Sequence, residues 1–122
     1  MKHILLVDDV STNLKYERLI LRDQYKVTMV KSGREALECL KTMCPDLVLL
    51  DIRMYEMDGY EVLRHMKEDP ETAGIPVILL TADTDPESEK RGIALGAADF
   101  IRKPLEPQVL LERIEAVWKT EE

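Results

Sequence analysis

Cysteine is scarce in this chain, and the two present, Cys39 and Cys44, fall in or just after one helical pattern. They offer no disulfide framework, which points to a cytosolic setting. They also lack neighbouring His or Cys residues that would complete a metal site, so helix packing accounts for them. Long hydrophobic runs are missing too. None approaches the ~20 residues needed to span a bilayer, so no membrane insertion is expected. The N-terminus Met1-Lys2-His3 enters a strand directly, so no signal peptide is expected. Positive charge is outnumbered: 17 Lys and Arg face 24 Asp and Glu, a net charge of −7. That balance argues against direct nucleic-acid binding, which needs a positive surface. Internal repeats, linkers and low-complexity tracts are absent. The 122 residues therefore read as one domain over 1–122 with one core, standing alone or cut from something longer.

What the chain does have is a set of short apolar runs that end in chemistry. His3-Ile4-Leu5-Leu6-Val7 runs into Asp8-Asp9, and Leu47-Val48-Leu49-Leu50 into Asp51. Val77-Ile78-Leu79-Leu80 runs into Thr81, and a run from Ala97 to Ile101 is soon followed by Lys103-Pro104. Such runs, separated by helical patterns, read as buried parallel strands. Ligands of open parallel sheets bind at the carboxyl ends of the strands. Three carboxylates, one hydroxyl and one ammonium should then meet on one edge, a set suited to a divalent cation and a phosphoryl group.

Strand and helix patterns alternate five times. Strands are expected at 3–7, 26–30, 47–50, 77–80 and 98–101. Helices are expected at about 11–22 and 33–43, from Gly59, from Asp85-Pro86, and around Leu110, Leu111, Ile114 and Val117. Gly96 should cap the fourth helix. The alternation implies a doubly wound α/β sandwich with right-handed crossovers.

The segments Leu6-Val7-Asp8-Asp9, Leu50-Asp51-Ile52-Arg53-Met54, Met57-Asp58-Gly59-Tyr60-Glu61, Leu80-Thr81-Ala82, Gly96-Ala97-Ala98-Asp99-Phe100 and Lys103-Pro104 resemble the receiver domain of bacterial two-component response regulators, the CheY-like fold. The resemblance covers nearly the whole chain, in order and at the family's spacing. It implies a flavodoxin-like (βα)5 sandwich with a five-stranded parallel sheet of order 2-1-3-4-5. It implies that Asp51 accepts a phosphoryl group from a histidine kinase or phosphotransfer protein. Asp9, Asp51 and the Arg53 backbone carbonyl would bind Mg²⁺ (or Mn²⁺), with Asp8 assisting. Thr81 and Lys103 would contact the phosphoryl oxygens. Thr81 and Phe100 would relay the change to the face made by the fourth helix, fifth strand and fifth helix, which is also a candidate homodimer surface. Lys103-Pro104 would be a cis peptide, an isomer accessible before proline. The role would be that of a cytoplasmic signalling switch rather than an enzyme, with its output domain or downstream partner unnamed by the sequence.

Elementary electrostatics supports those roles. Three carboxylates a few ångströms apart repel by roughly 3–4 kcal/mol per pair at an effective dielectric near 20. A Mg²⁺ ion and Lys103 would balance them, and oxygen-only ligands suit that ion. A cation there also stabilises charge on a transferring phosphoryl group.

The chain departs from the family's pattern at several positions. Tyr55 replaces a usual proline, Leu105 a common phenylalanine, and Phe100 the commoner tyrosine. Arg53 and Asp83 lie two residues beyond Asp51 and Thr81. They form a candidate gate that would pair across the site mouth and restrict the water that hydrolyses an acyl phosphate. His3 and His65 have no catalytic partner, and Trp118 reads as partial core.

Three other readings compete. A degenerate receiver would act only through protein contacts. A small Mg²⁺-dependent phosphohydrolase would use an aspartyl-phosphate, but Arg53 stands where that class generally carries a second acid. A flavodoxin-like cofactor binder would want a phosphate-cradling loop where Asp8-Asp9 would repel phosphate.

Overall fold

The computed structural model describes residues 1–121. The chain alternates without interruption: β1 (His3–Val7), α1 (Ser11–Leu21), β2 (Lys26–Val30), α2 (Gly33–Cys39), β3 (Leu47–Asp51), α3 (Gly59–Glu68), β4 (Val77–Thr81), α4 (Pro86–Ala94), β5 (Asp99–Arg102) and α5 (Pro107–Glu121). The strands form one parallel sheet in the order β2-β1-β3-β4-β5, the order the resemblance implies.

Alternation within each strand divides the core in two. Leu5, Val7, Val48, Leu50, Val77 and Leu79 face one side, where Ala36 of α2 and Val62, Leu63 and Met66 of α3 cover them. Ile4, Leu6, Leu47, Leu49, Ile78 and Leu80 face the other, under Leu14 and Leu21 of α1 and Leu110, Ile114 and Val117 of α5. Both faces of β3 and β4 are buried, which is why those strands read as continuous apolar runs. Each fully buried leucine contributes roughly 1.5–3 kcal/mol. No helix among the described residues is long and apolar enough to cross a membrane.

Local signals fix the helix starts. Ser32, Asp58 and Asp85 each accept a hydrogen bond from a backbone N–H in the first turn of α2, α3 and α4. Gly96, with φ +105°, turns the chain out of α4. Some boundaries differ from the sequence expectation. The second helix stops at Cys39 rather than 43, because Lys41, Thr42 and Met43 bond back to Glu38 and Cys39 in a tight turn ahead of Pro45. The third and fourth strands run one residue longer, taking in Asp51 and Thr81, and the fifth spans 99–102 rather than 98–101. Trp118 is buried, and its indole N–H donates to the Asp46 carbonyl. His3 pairs through Nε2 with Thr28 Oγ1, at the sheet end remote from the acids.

Candidate functional site

Parallel strands all end on one edge, so β1, β3, β4 and β5 deliver Asp8-Asp9, Asp51, Thr81 and Lys103 to the same place. Carboxylate oxygens of Asp8, Asp9 and Asp51 lie within 4.8 Å of one another. Asp8 and Asp51 are buried, and Asp9 is partly open. The Lys103 ammonium bridges the two buried acids, 3.1 Å from Asp8 Oδ2 and 3.0 Å from Asp51 Oδ1. The Lys103–Pro104 peptide is cis.

The acids are held from outside as well. Asp8 accepts from the Val10 N–H at 2.9 Å and from Asn13 Nδ2 at 3.1 Å. Asp9 accepts from the Tyr55 N–H at 3.1 Å, which fixes the loop after β3 across the site. Gly59 packs beneath that loop and donates its N–H to the Ile52 carbonyl at 2.8 Å.

Burial, then the neighbouring charge of Asp8, pushes the Asp51 carboxyl up to about 6, although Lys103 pulls the other way. Burial alone would lower the Lys103 ammonium; Asp51 and then Asp8 outweigh it and raise it. One lysine thus leaves the edge with excess negative charge. The donors are all oxygen, close together and largely out of water. That set fits a small hard divalent cation such as Mg²⁺.

Thr81 is buried and its Oγ1 accepts from the Asp83 N–H at 3.0 Å. Phe100 lies in the core beside Leu79, with the Arg102 guanidinium 5.2 Å from its ring centre. Arg53 and Asp83 pair at 3.2 Å beside an open cleft of about 720 Å³ that also reaches Asp9 and Tyr55. Asp83 further accepts from the Asp85 N–H at 2.9 Å and from Ser88 Oγ at 2.8 Å. Those bonds, with Arg53 third, hold its carboxyl well below the usual carboxylate range. Arg102 donates to the Asp83 carbonyl, so the loop leading into α4 is pinned from two sides. Tyr55 is 82% exposed.

Sequence reasoning missed one residue. Glu17 of α1 is 1% exposed, and its Oε2 has no hydrogen-bond partner. Burial first, then Asp8, push its carboxyl up to about 7. The signal was present: Leu14, Glu17 and Leu21 share one core-facing stripe, and an acid interrupts it. A carboxyl whose folded pKa is raised stabilises the fold below its unfolded pKa and loses that contribution as pH rises through the folded value. The cation-free protein should therefore lose up to about 3 kcal/mol through Glu17 between pH 4.5 and about 7. Denaturant melts in chelator across that range check this. Glu17→Gln should flatten the fall, and parallel curves for the two proteins would contradict it.

A family model described as the response regulator receiver domain matches residues 4–115. A Vibrio cholerae protein named a probable cyclic di-GMP phosphodiesterase is 44% identical over 111 residues, covering 91% of this chain and 25% of that protein. Response regulator PleD of Caulobacter vibrioides is 36% identical over 117 residues, covering 95% and 26%. The chain thus spans about a quarter of the length of these curated relatives. Among solved structures, the signal receiver domain of a signal transduction histidine kinase from Syntrophus aciditrophicus superposes with a TM-score of 0.90 at 38% identity, covering 98% of this chain and 92% of that one. Vibrio cholerae chemotaxis protein CheY4 gives a TM-score of 0.90 at 30% identity, covering 96% and 98%.

Proposed function

This chain belongs to the response regulator receiver domain family, and from that premise we propose that Asp51 accepts a phosphoryl group from a histidine kinase or phosphotransfer protein in a Mg²⁺-dependent step. The observation that carries this reading is the setting of Asp51. Its carboxylate ends a buried strand, is paired with a lysine, and shares a 4.8 Å cluster with two more acids.

In the transfer, a carboxylate oxygen of Asp51 forms a bond to phosphorus as the bond from phosphorus to the donor's imidazole nitrogen breaks. The nitrogen keeps the electron pair and takes a proton. Asp8, Asp9, Asp51 and the Arg53 carbonyl are the groups that would hold Mg²⁺ (or Mn²⁺). When bound, the ion neutralises charge on the transferring oxygens. Lys103 supplies a further positive charge against those oxygens. Thr81 turns its hydroxyl from the Asp83 N–H toward the phosphoryl group, which removes one of the bonds that hold the loop before α4 and lets Phe100 repack. Local charge thereby becomes a change on the α4–β5–α5 face. That face reads out to an output domain or downstream protein, or to a second copy of the chain, and the domain acts as a cytoplasmic switch rather than as an enzyme with an external substrate.

Incubation with acetyl phosphate and Mg²⁺ followed by intact mass tests this. The expected result is a gain of one phosphoryl group that requires the cation. No gain under these conditions would leave a receiver that works through protein contacts alone.

The Arg53–Asp83 pair governs how long the group persists, by restricting the water that attacks the acyl phosphate. The pair is open to solvent on the Arg53 side and therefore weak, so Arg53→Ala and Asp83→Ala should shorten the phosphoryl lifetime by no more than about fivefold. Decay of the phosphorylated mass over time measures it, and unchanged lifetimes in both variants would remove the gate.

A further inference from the structure

Lys103 rests on the same oxygens that a cation needs. Its ammonium contacts Asp8 Oδ2 and Asp51 Oδ1, and its side chain is only 18% exposed. A divalent ion entering the acidic cluster would compete for both acids and repel the lysine. Bulk water is largely closed to the displaced ammonium, so it needs an internal partner.

The helix beside it offers one. Asn13 of α1 donates to Asp8 Oδ2, the same oxygen that Lys103 contacts. Glu17 lies one turn further along the same face of α1, since residues four apart are stacked neighbours. Between them in sequence, Tyr16 donates its hydroxyl to the Leu105 carbonyl at 2.8 Å and ties this turn of α1 to the Lys103 loop. Glu17 is buried with an unpartnered oxygen, an unfavourable state for a group with only a packing role. Its carboxyl feels the charges of Asp8, Lys103 and Asp51, which end three different strands.

We propose that Glu17 is a positioning residue for Lys103: its buried carboxylate receives the lysine ammonium when a divalent cation takes Asp8 and Asp51. The inference rests on the reading of the acidic edge as a Mg²⁺ site. Glu17 thereby stabilises the second of two arrangements of one lysine, on the acids without the cation and beside α1 with it. The ammonium stays within the site, ready for phosphoryl oxygens.

The test is a double-mutant cycle on Mg²⁺ binding, measured by calorimetry on the whole chain at pH 8, where Glu17 is mostly ionised. Glu17→Gln should raise the Mg²⁺ dissociation constant about tenfold. In a Lys103→Met background the same change should alter it by less than about twofold, because no ammonium is left to receive. An effect of equal size in both backgrounds would mean that Glu17 acts on the ion through space, and overturns the proposal. So would no effect in either background. Glu17→Leu provides a second variant, and chelator melts of both should show folds at least as stable as the parent. If the parent binds no Mg²⁺, or binds it equally well as Asp51→Ala, the acidic-edge reading itself fails. Normal parent binding without coupling removes only the role of Glu17.

Discussion

Asp51→Ala is expected to abolish phosphoryl uptake from acetyl phosphate in the presence of Mg²⁺. The substitution removes the oxygen proposed as the nucleophile, and no other acid of the edge has the same setting. Asp8 is occupied by the Val10 N–H, Asn13 and Lys103, and Asp9 by the Tyr55 N–H. The loss should not come from unfolding. The Asp51 carboxyl is raised from 3.8 to about 6 in the fold, so its ionised form opposes folding at neutral pH by about 3 kcal/mol when no cation is present. Removing it should leave a fold at least as stable by denaturant melt. Asp23→Ala, on the exposed turn at the far end of the sheet, serves as the control and should take up phosphoryl like the parent. Uptake by Asp51→Ala at the parent's level would place the acceptor elsewhere.

Gly59→Ala should have the second largest effect, on stability. A methyl group there would lie 2.6 Å from the Asp51 carbonyl oxygen and 2.8 Å from Ile52 Cα. Both are backbone atoms of the segment that carries Asp51, so neither can swing aside as a side-chain tip would. The start of α3 must then separate from the end of β3, stretching the 2.8 Å bond from the Gly59 N–H to the Ile52 carbonyl. Overpacking of this kind costs about 1–3 kcal/mol. The same shift moves Asp51 relative to Asp8 and Lys103, so phosphoryl uptake should slow as well. Gly74→Ala meets nothing within 4 Å and should be nearly silent. Equal midpoints in urea for Gly59→Ala and the parent would contradict the packing argument.

The acidic edge was legible because its signals are local. Each apolar run is followed within two residues by its acid, hydroxyl or lysine, and a parallel sheet sends every strand end to the same side. The strand order is a different matter. Composition and periodicity give alternation, and the order came from the resemblance to the receiver family. Contacts remote in sequence were less legible. Arg53 and Asp83 were paired in expectation, but nothing announced that Ser88 and the Asp85 N–H would share Asp83, or that Arg102 would reach its carbonyl. Glu17 escaped because periodicity marks a position as inward-facing without saying what waits there. Its neighbours Asp8, Asp51 and Lys103 lie 9, 34 and 86 residues away in sequence. The second helix was overextended for a local reason: Leu40 and Met43 continue its apolar spacing, while the backbone leaves the regular helix after Cys39, with Leu40 as its cap.

The central claim is that the edge is a covalent phosphoryl site centred on one carboxylate. Borohydride reduction after phosphorylation tests it most directly, since hydride attacks the acyl phosphate carbonyl and converts that aspartate to homoserine. Peptide sequencing by tandem mass spectrometry should find homoserine at position 51 and nowhere else, and only when Mg²⁺ and the phosphodonor are both present. Homoserine at position 8 or 9, or an unmodified Asp51 in protein that has gained phosphoryl mass, would contradict it.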